Sequence, residues 1–426
     1  MSNPIQPVRG MNDILPDVRS VWAAVESAAE EIFEAYGYQR IRIPVMERTE
    51  LFSRSIGETT DIVQKEMYTF EDRNGSSVTL RPEATAGIVR AGLSNGLFHN
   101  QQQKLWCSGP MFRHERPQKG RYRQFHQLNV EAIGFAGPEI DAELIVISAR
   151  LWERLGLESP NLELNSLGTP EARSGYREAL QHYFSASKDV LDAESLNRLE
   201  RNPLRILDSK NPDLGPLITS APELSDYLDD DSKTHFERVQ QLLSDVNVSY
   251  RLNPRLVRGL DYYSRTVFEW VTDRLGAQSA VCSGGRYDGL VAQLGGRNTP
   301  AIGWALGIER VVELIEAERL QILERQPHAY LAMAGEQARR QGFGIAENLR
   351  ARVPGVRLFM DCAGGSLKSQ LRRADHSGAH LALILGEDEL SADQLSVKAL
   401  REDTPQSMQS LDGVVSELLR VRGESP

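Results

Sequence analysis

Lys104 to Phe135 reads KLWCSGPMFRHERPQKGRYRQFHQLNVEAIGF, two strand-like stretches on either side of a basic interruption. Lys104 to His114 and Gln124 to Phe135 are the predicted strands. Their succession with the elements before them points to an antiparallel sheet rather than to repeated strand–helix–strand units. Between them Arg113, Arg116, Lys119, Arg121 and Arg123 stand against Glu115 alone, on a chain of net charge −10. Such a run fits a solvated turn as readily as a binding surface. The acidic whole excludes a protein that coats nucleic acid without specificity, but not one with a local basic face.

Upstream, Met67 to Phe70 and Val78 to Leu80 flank Asn74-Gly75, a hairpin signal. Further back, Val18, Val21, Trp22, Val25, Ala29, Ile32, Phe33 and Tyr36 recur at three- and four-residue steps, one face of a helix that ends at Gly37. Arg40 to Val45 alternates as a half-buried strand, and Pro44, which has no N–H for a ladder, places it at an edge. Downstream, residues from about 170 to 250 are polar and helical in period (Tyr176, Leu180, Tyr183, Leu196, Leu199), a helical insertion. Strand character returns at Thr266 to Trp270. A helix is expected after Gly303, with Leu306, Ile308, Val311, Leu314 and Ile315 as its apolar positions. Past Gln326-Pro327 the chain alternates: an apolar run at Tyr330 to Ala334, a helix over Glu336 to Arg352, strands at Val356 to Met360 and His380 to Leu385, and a helix from Ser366. The reading is an α+β domain over 1–325 and a separate α/β domain over 326–426, a common domain size.

No run of about 18 apolar residues is present to span a membrane. Met1 to Gly10 lacks the apolar core of a secretory signal, so the expected location is the cytoplasm. Cys107, Cys282 and Cys362 form no CxxC pair, which argues against a zinc ribbon or a disulfide framework. All three are expected to be buried thiols, and no protein-held metal is expected.

Three arginines stand in unusual settings: Arg113 in Phe112-Arg113-His114-Glu115, Arg258 in Leu256-Val257-Arg258-Gly259-Leu260-Asp261-Tyr262-Tyr263, and Arg310 after Gly307-Ile308-Glu309. Arginine offers a planar fork that holds oxyanions bidentately. No GxxxxGK[ST] loop and no strand-GxGxxG-helix unit accompanies them, so a nucleotide would be held by side chains on a sheet. These segments resemble the three motifs of class II aminoacyl-tRNA synthetases: Tyr36 to Pro44 the dimer motif, Phe112 to Glu115 the second, Gly303 to Arg310 the third. Leu256 to Tyr263 and Gly284-Gly285-Arg286-Tyr287-Asp288-Gly289-Leu290 are similar to the two signatures of the histidyl-tRNA synthetase family. Arg9 to Asp13 and Arg81-Pro82-Glu83 fit its bacterial members, and the likeness runs nearly end to end.

The resemblance implies a class II core on an antiparallel sheet with flanking helices and a C-terminal anticodon-binding domain. It implies ATP with Mg²⁺, L-histidine and tRNA(His) as partners, a homodimer, and ligation through a histidyl-adenylate. Glu83, Thr85 and Gln127 would then hold the α-amino group, Glu131 and Tyr263 the imidazole nitrogens, while Tyr262 and Tyr287 wall the pocket. Arg113 would contact the α-phosphate, Arg310 the γ-phosphate, Glu115 the adenine side, and Arg258 the α-phosphate and the histidine carboxylate. Arg116, Gln118, Lys119, Arg121 and Arg123 would face the tRNA acceptor end, and Lys368, Arg372 and Arg373 the anticodon arm. Residue 84 is Ala where the family usually has Gly, a change that strains the backbone only at positive φ. The competing reading is a non-catalytic histidine-sensing paralogue, whose kind usually lacks the C-terminal domain and parts of the signatures.

Overall fold

The computed structural model describes residues 4–58, 60–207, 209, 211–275, 280–315 and 326–423. The chain divides into two compact units, Met1–Leu323 and Glu324–Pro426, each with its own apolar core. The expected boundary after residue 325 adjoins residues 316–325, which lie outside the described residues.

In the first unit α1 (Pro16–Ala35) buries Val21, Trp22, Val25, Ala29 and Phe33, positions three or four apart and therefore on one face. Gly37, at φ 81, turns the chain into β1 (Gln39–Arg40). The strand expected over 40–45 is cut short there. Ile41 still donates its N–H to Trp106 O at 2.8 Å, after which Arg42 to Pro44 are in no strand. The chain then enters a separate antiparallel sheet, ordered β2-β4-β3, from β2 (Met46–Arg48), β3 (Tyr68–Glu71) and β4 (Ser77–Leu80), with α2 (Thr49–Ile56) between the first two. Its hairpin turns through Asp72 to Ser76: Asp72 Oδ1 accepts the N–H groups of Asn74 and Ser76 at 2.8 and 3.0 Å.

Next come α3 (Thr85–Ser94), β5 (Gln103–Phe112) and β6 (Gln124–Ile133), then α4 (Pro138–Leu155) and β7 (Asn161–Ser166). The helical segment holds α5 (Pro170–Ser185), α6 (Ala193–Arg201), α7 (Gly215–Thr219) and α8 (Asp230–Asp245). After it run β8 (Arg251–Leu252), β9 (Ser264–Val271), β10 (Ala280–Arg286), α9 (Leu290–Gln293), β11 (Ala301–Gly307) and α10 (Ile308–Leu314). The eight strands order as β1-β5-β6-β11-β10-β9-β7-β8. The inner pairings are antiparallel, and β1 and β8 join the edges in parallel. One face of this sheet packs Trp106, Trp270 and Trp304 against α1, α4 and α10. The other face is partly covered by α3 and the helical segment, and the rest is left for the site.

One helical expectation is corrected. Gly303 to Gly307 is not helical but the second half of β11, and the helix begins at Ile308. Along β11 the buried Trp304 and Leu306 point to the core while glycine and alanine alternate with them, so the strand offers no full apolar run to read. The expected helical insertion holds four α-helices among the described residues, and these pack in two places. Tyr176, Leu180 and Phe184 of α5 share a core with Tyr262, Tyr263 and Tyr287, whereas α8 packs on α4, with Val239 and Leu243 in the main core.

The second unit holds β12 (Ala329–Met333), α11 (Glu336–Arg352), β13 (Leu358–Met360), α12 (Leu367–His376), β14 (Leu381–Leu385), α13 (Glu387–Ala392), β15 (Leu395–Ala399), β16 (Ser407–Gln409) and α14 (Leu411–Arg422). Its sheet runs β13-β12-β14-β15-β16, parallel through the first three strands and antiparallel after. Cys107 and Cys282 are buried, but Cys362, in the loop after β13, is exposed and corrects the expectation for that residue. No helix among the described residues is long and apolar enough to cross a membrane.

Candidate active site

Because side chains alternate along a strand, β6 turns Gln127, Asn129 and Glu131 to the open face of the large sheet. Their partners on β11 are all small: Gln127 pairs with Gly307, Asn129 with Ala305 and Glu131 with Gly303. On β10 Ser283 pairs with Ala305 and Gly285 with Gly303. The glycines are required by space. A Cβ on Gly303 would stand 1.6 Å from Glu131 Oε2, and one on Gly285 would stand 2.6 Å from Thr266 O. The result is a polar hollow of about 210 Å³ floored by the sheet and walled by the start of α3, residues 258–263 and the basic loop.

The carboxylates lie at its deep end. Glu131 is fully buried and accepts from Thr85 Oγ1 at 2.7 Å and Tyr287 Oη at 2.5 Å. Burial holds its pKa at about 8, against the usual carboxylate value of 4.5. Glu131 and Tyr287 therefore form a layer beneath the residues that line the hollow. Glu83 does line it; its carboxylate accepts the N–H groups of Thr85 at 2.6 Å and Ala86 at 2.9 Å, in the manner of a helix cap. Burial raises the Glu83 pKa against the pull of those donors. Ala84 between these groups has φ −107, so the added methyl carries no backbone strain. Tyr262 and Tyr263 complete the wall with ring centroids 4.7 Å apart, and Tyr262 meets Tyr287 edge-on at 5.6 Å.

The shallow end is cationic. Arg113 donates to Pro82 O at 2.9 Å and lies over the Phe125 ring at 5.3 Å. Arg258 donates to Glu269 and to Ser283 Oγ, each at 2.7 Å, and lies over the Tyr263 ring at 5.6 Å. Arg310 donates to the carbonyls of Gly120 and Ala280. Burial lowers the Arg310 pKa, and Arg113 and Arg121 lower it further; burial likewise lowers that of Arg113. Positive charges crowded until they depress one another make a site for an anion. Four buried polar atoms around the hollow have no hydrogen-bond partner: Gln127 Oε1, both amide atoms of Asn129, and Arg258 Nε. Groups of that kind are uncommon in native interiors, and the three residues that carry them line the hollow.

The basic loop divides. Gln118 and Arg121 exchange backbone hydrogen bonds across a turn with Gly120 at φ 67. Arg116, Gln118 and Lys119 are exposed at its tip. Arg121 turns inward to pair with Glu115, and Arg123 donates to Glu115 O at 3.1 Å. In the second unit Lys368 and Arg372 are exposed, but Arg373 donates to Asp361 Oδ2 at 2.8 Å and to Gly364 O, pinning the Gly364-Gly365 turn. The sequence reading missed Asn129, Ser283, Glu269 and Glu309, the last of which holds the N–H of His126 at 2.9 Å. For Asn129 the signal was available: it falls midway between two chosen residues at strand period.

An antiparallel sheet carrying an arginine-lined hollow on one face, with a separate α/β unit after it, has the architecture of a class II aminoacyl-tRNA synthetase. The chain matches the model of the Histidyl-tRNA synthetase family over residues 10–311 and that of the Anticodon binding domain over 328–420. It belongs to the histidyl-tRNA synthetase family of ligases. It is 55% identical over 425 residues to the Histidine--tRNA ligase of Hydrogenovibrio crunogenus, covering 100% of both chains. It is 58% identical over 406 residues to that of Alkalilimnicola ehrlichii, covering 95% of this chain and 94% of the relative. Among solved structures, the apo histidyl-tRNA synthetase of S. aureus aligns with TM-score 0.81 and 33% identity, covering 97% of this chain and 100% of the other.

Proposed function

We propose that the chain joins L-histidine to tRNA(His) in two steps at this hollow. A histidine carboxylate oxygen attacks the α-phosphorus of ATP, the bond to the bridging oxygen breaks, and pyrophosphate leaves. The terminal ribose hydroxyl of the tRNA then attacks the carbonyl of the histidyl-adenylate and AMP departs. Carrying this reading is one observation: Glu83, the unpartnered Gln127 Oε1 and the unpartnered amide of Asn129 share a cavity with Arg113, Arg258 and Arg310.

In this reading Glu83, Thr85 and Gln127 take the α-amino group, and Tyr262 and Tyr263 enclose the ring, with Tyr287 packed behind Tyr262. Each carboxylate oxygen has two lone pairs, so Glu131 can keep Thr85 and Tyr287 and still accept an imidazole N–H, with Tyr263 at the other nitrogen. A site that answers both nitrogens rejects analogues lacking one, because its buried groups would be left unpaired. Arg113 and Arg258 clasp the α-phosphate and Arg310 the γ-phosphate, with Glu115 on the adenine side. No protein nucleophile is involved; catalysis is in-line placement and charge stabilisation. ATP enters as its magnesium complex. The ion would keep several waters and be held largely by the substrate phosphates.

Arg116, Gln118 and Lys119 meet the acceptor end, the first and second reading bases, while Arg121 and Arg123 brace the loop through Glu115, and Lys368 and Arg372 meet the anticodon arm. Arg373 supports that surface through Asp361. The reading includes a cytoplasmic homodimer; exposed Val45, Met46 and Phe70 around the small sheet supply apolar surface for a second copy. The test is charging of tRNA(His) transcript in the presence of ATP with each of the twenty amino acids in turn. Histidine alone should enter acid-precipitable RNA; incorporation of another amino acid, or of none, would overturn the proposal.

A further inference from the structure

Asn129 lies at the centre of the large sheet, wholly buried, lining the hollow with neither Oδ1 nor Nδ2 partnered. Interiors satisfy the large majority of such atoms, and among the described residues lining the hollow Asn129 is the one with both side-chain polar atoms unmet. A structural asparagine in mid-strand would be expected to bond a neighbour, and this one bonds none.

Strand register shows what it faces. Asn129 pairs with Ala305, Ala305 with Ser283, and Ser283 with Glu269. The last two anchor the Arg258 guanidinium, at 2.7 Å each. Neighbouring strands are about 4.8 Å apart, and Ala305 brings only a methyl. The space over Ala305 thus has an amide on one side and a guanidinium on the other. Along β6, Gln127 Oε1 is a second unpartnered acceptor on the same face, and Glu83 lines the same hollow.

We propose that Asn129 is a further binding residue that holds the head group of the amino acid. Its Nδ2 donates to the α-carboxylate seated over Ala305 opposite Arg258. Its Oδ1 joins Glu83, Thr85 and Gln127 Oε1 as an acceptor around the three N–H donors of the α-ammonium. The inference rests on the amino-acid-activation reading above and adds a residue that touches both poles of the zwitterion. Asn129 then reads head-group chemistry, leaving the ring to the Glu131 end.

The test compares the full-length wild type with Asn129→Ala and Asn129→Leu. Titration calorimetry measures binding of L-histidine and of histidinol, which keeps the ammonium and lacks the carboxylate. Asn129→Ala opens space and removes both contacts. Asn129→Leu fills the space and removes an unpaired buried amide, so it should melt no lower than wild type. Both should weaken histidine by about 10- to 100-fold, the range expected when hydrogen bonds to charged groups are lost, and both should weaken histidinol less. Histidine binding within twofold of wild type in both variants would overturn the inference. Equal losses for histidine and histidinol would overturn the carboxylate contact. Wild-type pyrophosphate exchange with histidine separates the two levels: its absence sinks the activation reading, whereas its presence with unmoved variants sinks only the role of Asn129.

Discussion

Tyr287 Oη donates to Glu131 Oε2 at 2.5 Å while Thr85 Oγ1 donates to the other oxygen at 2.7 Å. Three distant segments, the head of α3, the middle of β6 and the residue after β10, are tied to one buried carboxylate. Burial keeps the folded-state pKa at about 8, above the usual 4.5. A raised carboxyl pKa contributes stability that is whole below about pH 4.5, declines as the unfolded chain ionises, and is gone as pH rises through about 8. Glu131→Gln cannot ionise. Its melting temperature should therefore fall less steeply than that of wild type between about pH 5 and pH 9. Calorimetric melts at stepped pH check this, and parallel curves would contradict it.

Arg258 stands over Tyr263 and between Ser283 and Glu269. Removing one preorganised charge of this kind costs on the order of 10²–10³ in rate. Arg258→Ala should lose adenylate formation on that scale in single-turnover assays, while histidine affinity falls by only about tenfold. Equal losses in both would contradict its placement at the α-phosphate. Arg258→Lys keeps the charge beside Glu269 and controls for folding.

Gly303 has no room for a side chain, because its Cβ would meet Glu131 Oε2 at 1.6 Å. Gly303→Ala should displace that carboxylate, raising KM for histidine at least tenfold and leaving KM for ATP within about threefold, since Arg113, Arg258 and Arg310, the proposed phosphate ligands, lie elsewhere in the hollow. Steady-state exchange kinetics decide it. An unchanged KM for histidine would show that Glu131 does not shape the amino-acid site.

In the second unit, Asp361 is buried and bonded to Tyr330 Oη at 2.8 Å as well as to Arg373. Arg373→Ala should lower the melting temperature of that unit by leaving a buried carboxylate short of a partner. Lys368→Ala and Arg372→Ala, both exposed, should leave melting unchanged and raise KM for tRNA. Loss of charging without loss of stability in Arg373→Ala would move that residue onto the tRNA surface.

Much of the frame was legible in the sequence. The α1 face, the strands around the basic loop and the hairpin at Asn74-Gly75 follow from period and turn chemistry, and each lies within a residue or two of its expected place. What the sequence hid depends on partners far away along the chain. The floor strand β11 is half glycine and alanine because neighbouring strands carry the functional side chains, and a strand of small residues has no apolar alternation to detect. Arg373 reads as a free cation until folding brings Asp361 beside it. The depth of Glu131 is likewise a property of the sheet, since no local pattern distinguishes a carboxylate under the cavity from one facing it. Asn129 was within reach of a stricter reading, as the residue midway between Gln127 and Glu131.

The central claim is that a histidine-binding hollow and a triphosphate clasp are one cavity. Its most direct test is incorporation of labelled pyrophosphate into ATP by the purified chain, without tRNA, with and without histidine. Labelling should be saturable and histidine-dependent, and Arg113→Ala or Arg310→Ala should reduce it by about 10²–10³. Labelling that is absent, or that proceeds equally without histidine, would contradict it.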